Sequence, residues 1–102
     1  MSDLIRICSA SEVPTPGQVA EFTVNGRTLC VANVDGSIAV LDGTCPHEGG
    51  PLGEGTIENG LLACPWHNYS FDPRTGICST DASLKAEVIE ARIESGELRG
   101  KL

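Results

Sequence analysis

The chain has 102 residues and 10.7 kDa, the size of one domain built around one modest core. Fourteen acidic against seven basic side chains give a formal charge of -7, which repels phosphate backbones and anionic lipid surfaces and argues against nucleic acid and membrane as partners. No apolar run approaches the roughly 20 residues of a membrane helix, the first thirteen residues lack a secretory pattern, and the location expected is the cytoplasm.

In chain order the sequence reads as short alternating segments broken by glycine turns, without a helical stripe, and the fold class expected is all-β. Ala20, Phe22 and Val24 share one face of a strand that ends at Asn25-Gly26, a pair suited to a tight hairpin because both residues tolerate positive φ. Residues 28–34 return beside it, Asp35-Gly36 turns again, and residues 37–41 complete a three-strand antiparallel meander over 19–41. Residues 43–55 then hold five glycines and two prolines and form a long loop. Brief strands at Thr56-Ile57 and 61–63 flank Asn59-Gly60, and a second loop opens at Cys64. Short extended pieces follow at 69–72 and 77–79, around a turn at 73–76. Ile89, Ala91 and Ile93 alternate with Glu90, Arg92 and Glu94, predicting one strand with a buried and a wet face. Ser95-Gly96 turns that strand into a last one within 97–102. We divide the single domain, 1–102, into a basal β portion (1–42 and 80–102) and an inserted middle (43–79).

The middle carries the chemistry. Cys45-Pro46-His47 and, 16 residues later, Cys64-Pro65-Trp66-His67 give each loop one thiol and one imidazole, and both histidines of the chain lie in these motifs. Five cysteines without an export signal favour metal ligation over a disulfide framework. Two thiolates with two imidazoles suit zinc or an iron-sulfur centre, whereas calcium and magnesium want oxygen. A zinc-stapled binding module is the competing reading. Common zinc modules, however, put both cysteines on one knuckle, and here each loop is mixed.

Cys-x-His, an intervening 16 residues and Cys-x-x-His, with glycines after the first histidine and β segments on either side, resemble the Rieske family over nearly the whole chain. The resemblance implies three small antiparallel sheets with a cluster-binding insertion, and one [2Fe-2S] cluster held at the loop tips. Cys45 and Cys64 would then ligate one iron, and His47 and His67 the other. Two ferric ions, two sulfides and two thiolates sum to zero charge. Replacing the neutral imidazoles by thiolates would add two negative charges, so histidine ligation makes the electron easier to accept, at about -150 to +300 mV against about -400 mV for an all-cysteine plant-type cluster. The outer histidines would also couple reduction to protonation at alkaline pH.

High-potential relatives carry a disulfide across the cluster, and Gly50 and Trp66 occupy the corresponding positions here. Tyr69 and Phe71 stand where those relatives aim a serine and a tyrosine hydroxyl at cluster sulfurs, which implies a potential toward the bottom of the range. Residues 79–84 lack the proline that many relatives use to cover a third side, and Glu48 stands where an apolar residue is common. The reading is a one-electron carrier, not an enzyme by itself, taking electrons from a flavin-containing NAD(P)H-dependent reductase and serving a terminal oxygenase. The runner-up is the small Rieske-like subunit of an assimilatory nitrite reductase.

Other residues have plainer expectations. Cys8, Cys30 and Cys78 read as small buried side chains with protonated thiols. Pro46 and Pro65 stiffen the loops, and Gly49, Gly50, Gly53 and Gly55 let the backbone approach sulfur closely or simply turn it. Trp66 covers the cluster or meets a partner on one reading, and packs in the core on the other. Asp42, Glu48, Glu54, Glu58 and Asp72 form a solvated acidic face that could steer a basic partner. Tyr69 and Phe71 are expected to pack.

Overall fold

A computed structural model of the chain describes residues 4–45, 49–66, 69–79 and 81–102. Its strands are β1 (Ile5–Ser9), β2 (Val19–Val24), β3 (Arg27–Val34), β4 (Ser37–Asp42), β5 (Thr56–Glu58), β6 (Leu61–Ala63), β7 (Ser70–Phe71), β8 (Val88–Ile89), β9 (Ala91–Glu94) and β10 (Glu97–Gly100). Two single-turn 3-10 segments, Ala10–Glu12 and Leu52–Glu54, complete the regular structure among the described residues. The strands form three antiparallel sheets, ordered β1-β10-β9, β2-β3-β4-β8 and β5-β6-β7, as expected of the all-β reading.

Four two-residue turns set the register. Asn25-Gly26, Asp35-Gly36, Asn59-Gly60 and Ser95-Gly96 all place both residues at positive φ, the conformation that matches the right-handed twist of the strands they join. The β2–β3 and β3–β4 ladders then run without slippage from Val24↔Arg27 to Val19↔Ala32 and from Val34↔Ser37 to Leu29↔Asp42.

The four-stranded sheet is buried on both faces. Leu29, Val31 and Val40 point toward Ile7, Cys8, Ile89 and Leu98, the core shared with the β1-β10-β9 sheet. Cys30 and Leu41, one residue out of phase, point the other way and join Cys45, Leu52, Leu62, Cys64, Phe71, Cys78 and Ala86 beneath the loops. This two-sided burial explains why 29–32 is a continuous run of buried residues rather than an alternation. Asn33 is a buried polar residue with its amide satisfied: Nδ2 donates to Pro14 O at 2.9 Å, and Oδ1 accepts from Gly36 N at 2.7 Å.

The structure corrects three expectations. The single strand over 89–94 is two, β8 on the four-stranded sheet and β9 on the β1 sheet, because the chain changes sheets at Glu90, whose carbonyl accepts from Lys101 N at 2.8 Å. Ile93 is 49% exposed although it shares a face with Leu98, because β9 is an edge strand and its inner face overhangs the core. The pieces at 69–72 and 77–79 shrink to β7 and isolated bridges, Phe71↔Cys78 and Ile77↔Lys85. β1, which no turn signal marked, pairs with β10 through a bulge between Arg6 and Cys8.

Candidate metal centre

The first loop leaves β4 at Asp42, whose Oδ1 accepts from Thr44 N at 2.9 Å and turns the chain. Gly43 N donates to Thr28 O at 3.0 Å, and Leu52 N to Gly43 O at 2.9 Å. Cys45 is clipped from both sides: its N–H donates to Gly50 O and its carbonyl accepts from Gly49 N, each at 2.8 Å. Gly49 takes a φ of +78° to allow this. The second loop leaves β6 at Cys64, whose N–H donates across the loop base to Tyr69 O at 2.7 Å.

The two loops are brought together by backbone packing. A Cβ on Gly55 would lie 2.1 Å from Ala63 O, so only glycine lets the end of the first loop pass against the strand that delivers Cys64. Both thiols are buried, and Cys45 and Cys64 lie within hydrogen-bonding reach of each other. Burial pushes the Cys64 thiol above its ordinary value; the Trp66 backbone N–H, aimed at the sulfur, opposes this, and Cys45 adds to it. Two thiolates side by side in this pocket need a cation to offset their repulsion, and soft sulfur donors fit iron or zinc.

The structure thus brings together two of the four sequence-predicted ligands. His47 and His67 lie outside the described residues, as do Pro46 and Glu48. Among the described residues no group of three or more His, Cys, Asp and Glu side chains converges as a metal site. Trp66 is 48% exposed, which sets aside core packing. Phe71 is fully buried and Tyr69 packs against the same core, as expected of packing residues. Cys30 and Cys78 share that core with Cys45 and Cys64; burial pushes the Cys30 thiol up to about 12, with Glu21 adding to it, so Cys30 stays protonated. The acidic face is partly neutralised: Asp42 pairs with Arg27 at 3.4 Å and Asp72 with Arg74 at 3.7 Å, while Glu54 and Glu58 are exposed.

Sequence reasoning did not find the contact between Gly50 and Trp66. A Cβ on Gly50 would lie 2.9 Å from Trp66 Cγ and Cδ2 and 3.0 Å from Cys64 Sγ. The correspondence of positions 50 and 66 was visible in the resemblance, but nothing in the sequence indicated that the indole fills the space between them.

Two buried thiols on two facing loops beneath a three-sheet β fold define a cluster-binding domain, and comparison with known proteins fixes which one. Residues 3–92 match the model of the Rieske [2Fe-2S] domain, and the chain belongs to that family. It is 28% identical over 96 residues to the ferredoxin CarAc of Metapseudomonas resinovorans, covering 92% of this chain and 89% of that protein. To the ferredoxin component of biphenyl 2,3-dioxygenase from Rhodococcus jostii (strain RHA1) it is 33% identical over 73 residues, covering 72% and 67%. A solved complex of reduced oxygenase and oxidized ferredoxin in carbazole 1,9a-dioxygenase contains a chain that matches with a TM-score of 0.83 at 26% identity, covering 98% of this chain and 94% of that one. The chain spans 12–14% of the length of larger desaturase and oxygenase-component relatives that it also matches. It carries one [2Fe-2S] cluster and is an electron carrier, not an enzyme by itself. Among the described residues no helix is long and apolar enough to cross a membrane.

Proposed function

We propose that this chain receives single electrons from a flavin-containing NAD(P)H-dependent reductase and delivers them to a terminal oxygenase, with Cys45, His47, Cys64 and His67 as the cluster ligands. The observation that carries the reading is the approach of two buried thiols from two separate loops, each loop with an imidazole two or three residues further on. The bound cluster supplies a one-electron couple whose potential histidine ligation raises. The chain's own residues do the rest. The clips at Cys45 N, Gly49 N and Cys64 N fix where the two sulfurs sit, which keeps reorganisation small when charge changes. Leu52, Leu62 and Phe71, all fully buried, keep water from reaching the sulfurs from below. On the opposite side the second loop exposes Pro65 and Trp66, where a partner can approach.

The oxygenase partner is supported by the carbazole dioxygenase complex, and the reductase by the multi-component systems to which the ferredoxin relatives belong. Five free cysteines support a reducing compartment, and we place the carrier in the cytoplasm. The test is reconstitution. Purified protein is expected to be red-brown with about two irons and two labile sulfides per chain, to show the paramagnetic resonance spectrum of a histidine-ligated cluster when reduced, and to accept electrons from a flavin reductase. One zinc per colourless chain would favour the stapled binding module, and isolation only as a complex with a sirohaem enzyme would favour the nitrite reductase subunit.

A further inference from the structure

We propose that Gly50 is a positioning residue: its missing side chain seats the indole of Trp66 across the sulfur of Cys64, and the seated ring keeps water off that sulfur and thereby holds the reduction potential down. The inference rests on the reading of Cys64 as a cluster ligand.

Three observations carry it. First, Gly50 does not owe its glycine to backbone conformation, because its φ lies outside the left-handed region that Gly49 occupies at +78°. What it supplies is room, since a Cβ there would meet Trp66 Cγ and Cδ2 at 2.9 Å, closer than real Cβ contacts allow, and Cys64 Sγ at a tight 3.0 Å. Second, Gly50 is fixed in place, because its carbonyl accepts from Cys45 N at 2.8 Å and Pro51 beside it bridges to Thr44. Any added carbon must therefore displace the ring, and it also presses on the Cys64 sulfur. Third, Cys64 is fully buried although the next two residues, Pro65 and Trp66, are exposed. The Trp66 ring, half-exposed, and the Cys64 sulfur border the same space beside Gly50, and the Trp66 backbone N–H is aimed at that sulfur, so one residue stands against Cys64 with both its main chain and its ring.

Excluding water from a ligand sulfur removes screening that favours the more negative, reduced state, so the lid lowers the potential and its removal raises it. Trp66 is the single tryptophan, so its emission reports on this position alone. The experiment compares cluster-loaded wild type with Gly50→Ala, Trp66→Ala, Trp66→Phe and the double variant Gly50→Ala/Trp66→Ala. In Gly50→Ala the acrylamide quenching constant is expected to at least double, the emission to move to the red, and the reduced fraction at a fixed solution potential to rise several-fold. Trp66→Ala should raise the potential too, and Trp66→Phe, which keeps a flat ring, should raise it less. The double variant should fall well short of the sum of the two single changes and close to Trp66→Ala, because the ring that the methyl displaces is already gone and only its 3.0 Å approach to Cys64 Sγ remains.

A Gly50→Ala protein with unchanged emission and potential overturns the proposal, and so do effects that add in the double variant. If Gly50→Ala takes up no cluster, Trp66→Ala decides: an unchanged potential overturns the proposal and a raised one supports it. Failure of the underlying reading looks different, since wild-type protein would then contain no iron.

Discussion

The β2–β4 meander and the loops that present Cys45 and Cys64 lie on opposite sides of one layer of side chains, yet they are held together by different means. The meander has two six-pair ladders in register and a core on each face. The loop region has a three-pair and a two-pair ladder, single N–H clips at Cys45 and Cys64, and close backbone passages that only glycine permits. Cooperative pairing stabilises the first without help. The second places two thiols side by side, an arrangement that becomes favourable when a cation binds them. The difference teaches that the site is rigid on the side it shares with the meander and depends on its metal on the other.

Removing a proposed ligand should separate the two regions most sharply. In Cys64→Ser, or after iron chelation, we expect loss of the cluster. Hydrogen exchange at Cys45, Leu52 and Cys64 should quicken by tenfold or more, while Val31 and Val40 keep their protection. Equal loss of protection in both regions would show that they are one cooperative unit.

Next in size are the two leucines that face opposite ways from the shared sheet. Leu29→Ala and Leu41→Ala each leave a cavity at a fully buried position and should cost about 2–5 kcal/mol by denaturant unfolding. Only Leu41 lies in the core beneath the thiols, so only Leu41→Ala should also hasten iron release to a chelator. Two glycines probe the same contrast at smaller amplitude. Gly55→Ala meets the Ala63 carbonyl, which cannot swing aside, and should cost about 1–3 kcal/mol as well as loosening the cluster. Gly60→Ala, with open space around it but a φ of +77°, should cost about 1 kcal/mol and leave iron retention unchanged.

How far each region could be read from the sequence follows the same division. The Asn-Gly, Asp-Gly and Ser-Gly turns and the alternation around them are local signals, and they placed β2 to β6 within a residue or so at each end. The paired Cys and His motifs made the site conspicuous, and Cys45 and Cys64 meet as that pairing required. What was not legible depends on distant partners. β1 is specified by β10, some ninety residues away. The break at Glu90 comes from two sheets competing for one strand, and the exposure of Ile93 from the lack of a neighbour beyond an edge, neither of which periodicity encodes. The seat of Trp66 on Gly50 belongs to the same class, because a glycine that supplies room looks in sequence like any glycine that turns a chain.

The smallest expected effect lies farthest from the thiols, in the β1-β10-β9 sheet, and tests whether electrostatics distinguishes that end. Glu97 on β10 accepts from Arg6 Nε and from Arg99 Nη2, each at 2.6 Å, and these two guanidinium hydrogen bonds hold its carboxyl below the ordinary value. A carboxylate with a depressed folded pKa contributes stability that is present above the unfolded value, roughly 4.3, and is lost as pH falls through the folded one, because the unfolded chain then binds the proton first. Urea midpoints of wild type and Glu97→Gln should therefore lie apart at neutral pH and converge as the solution is made more acid than that carboxylate range. The gap should narrow in about 1 M salt, where charges are screened beyond about 3 Å. Iron retention should be the same in both proteins at every pH where both remain folded. A Glu97→Gln protein that released iron faster would mean that the β1-β10-β9 sheet and the thiol loops communicate through the meander, and that the layer between them is a hinge and not a floor.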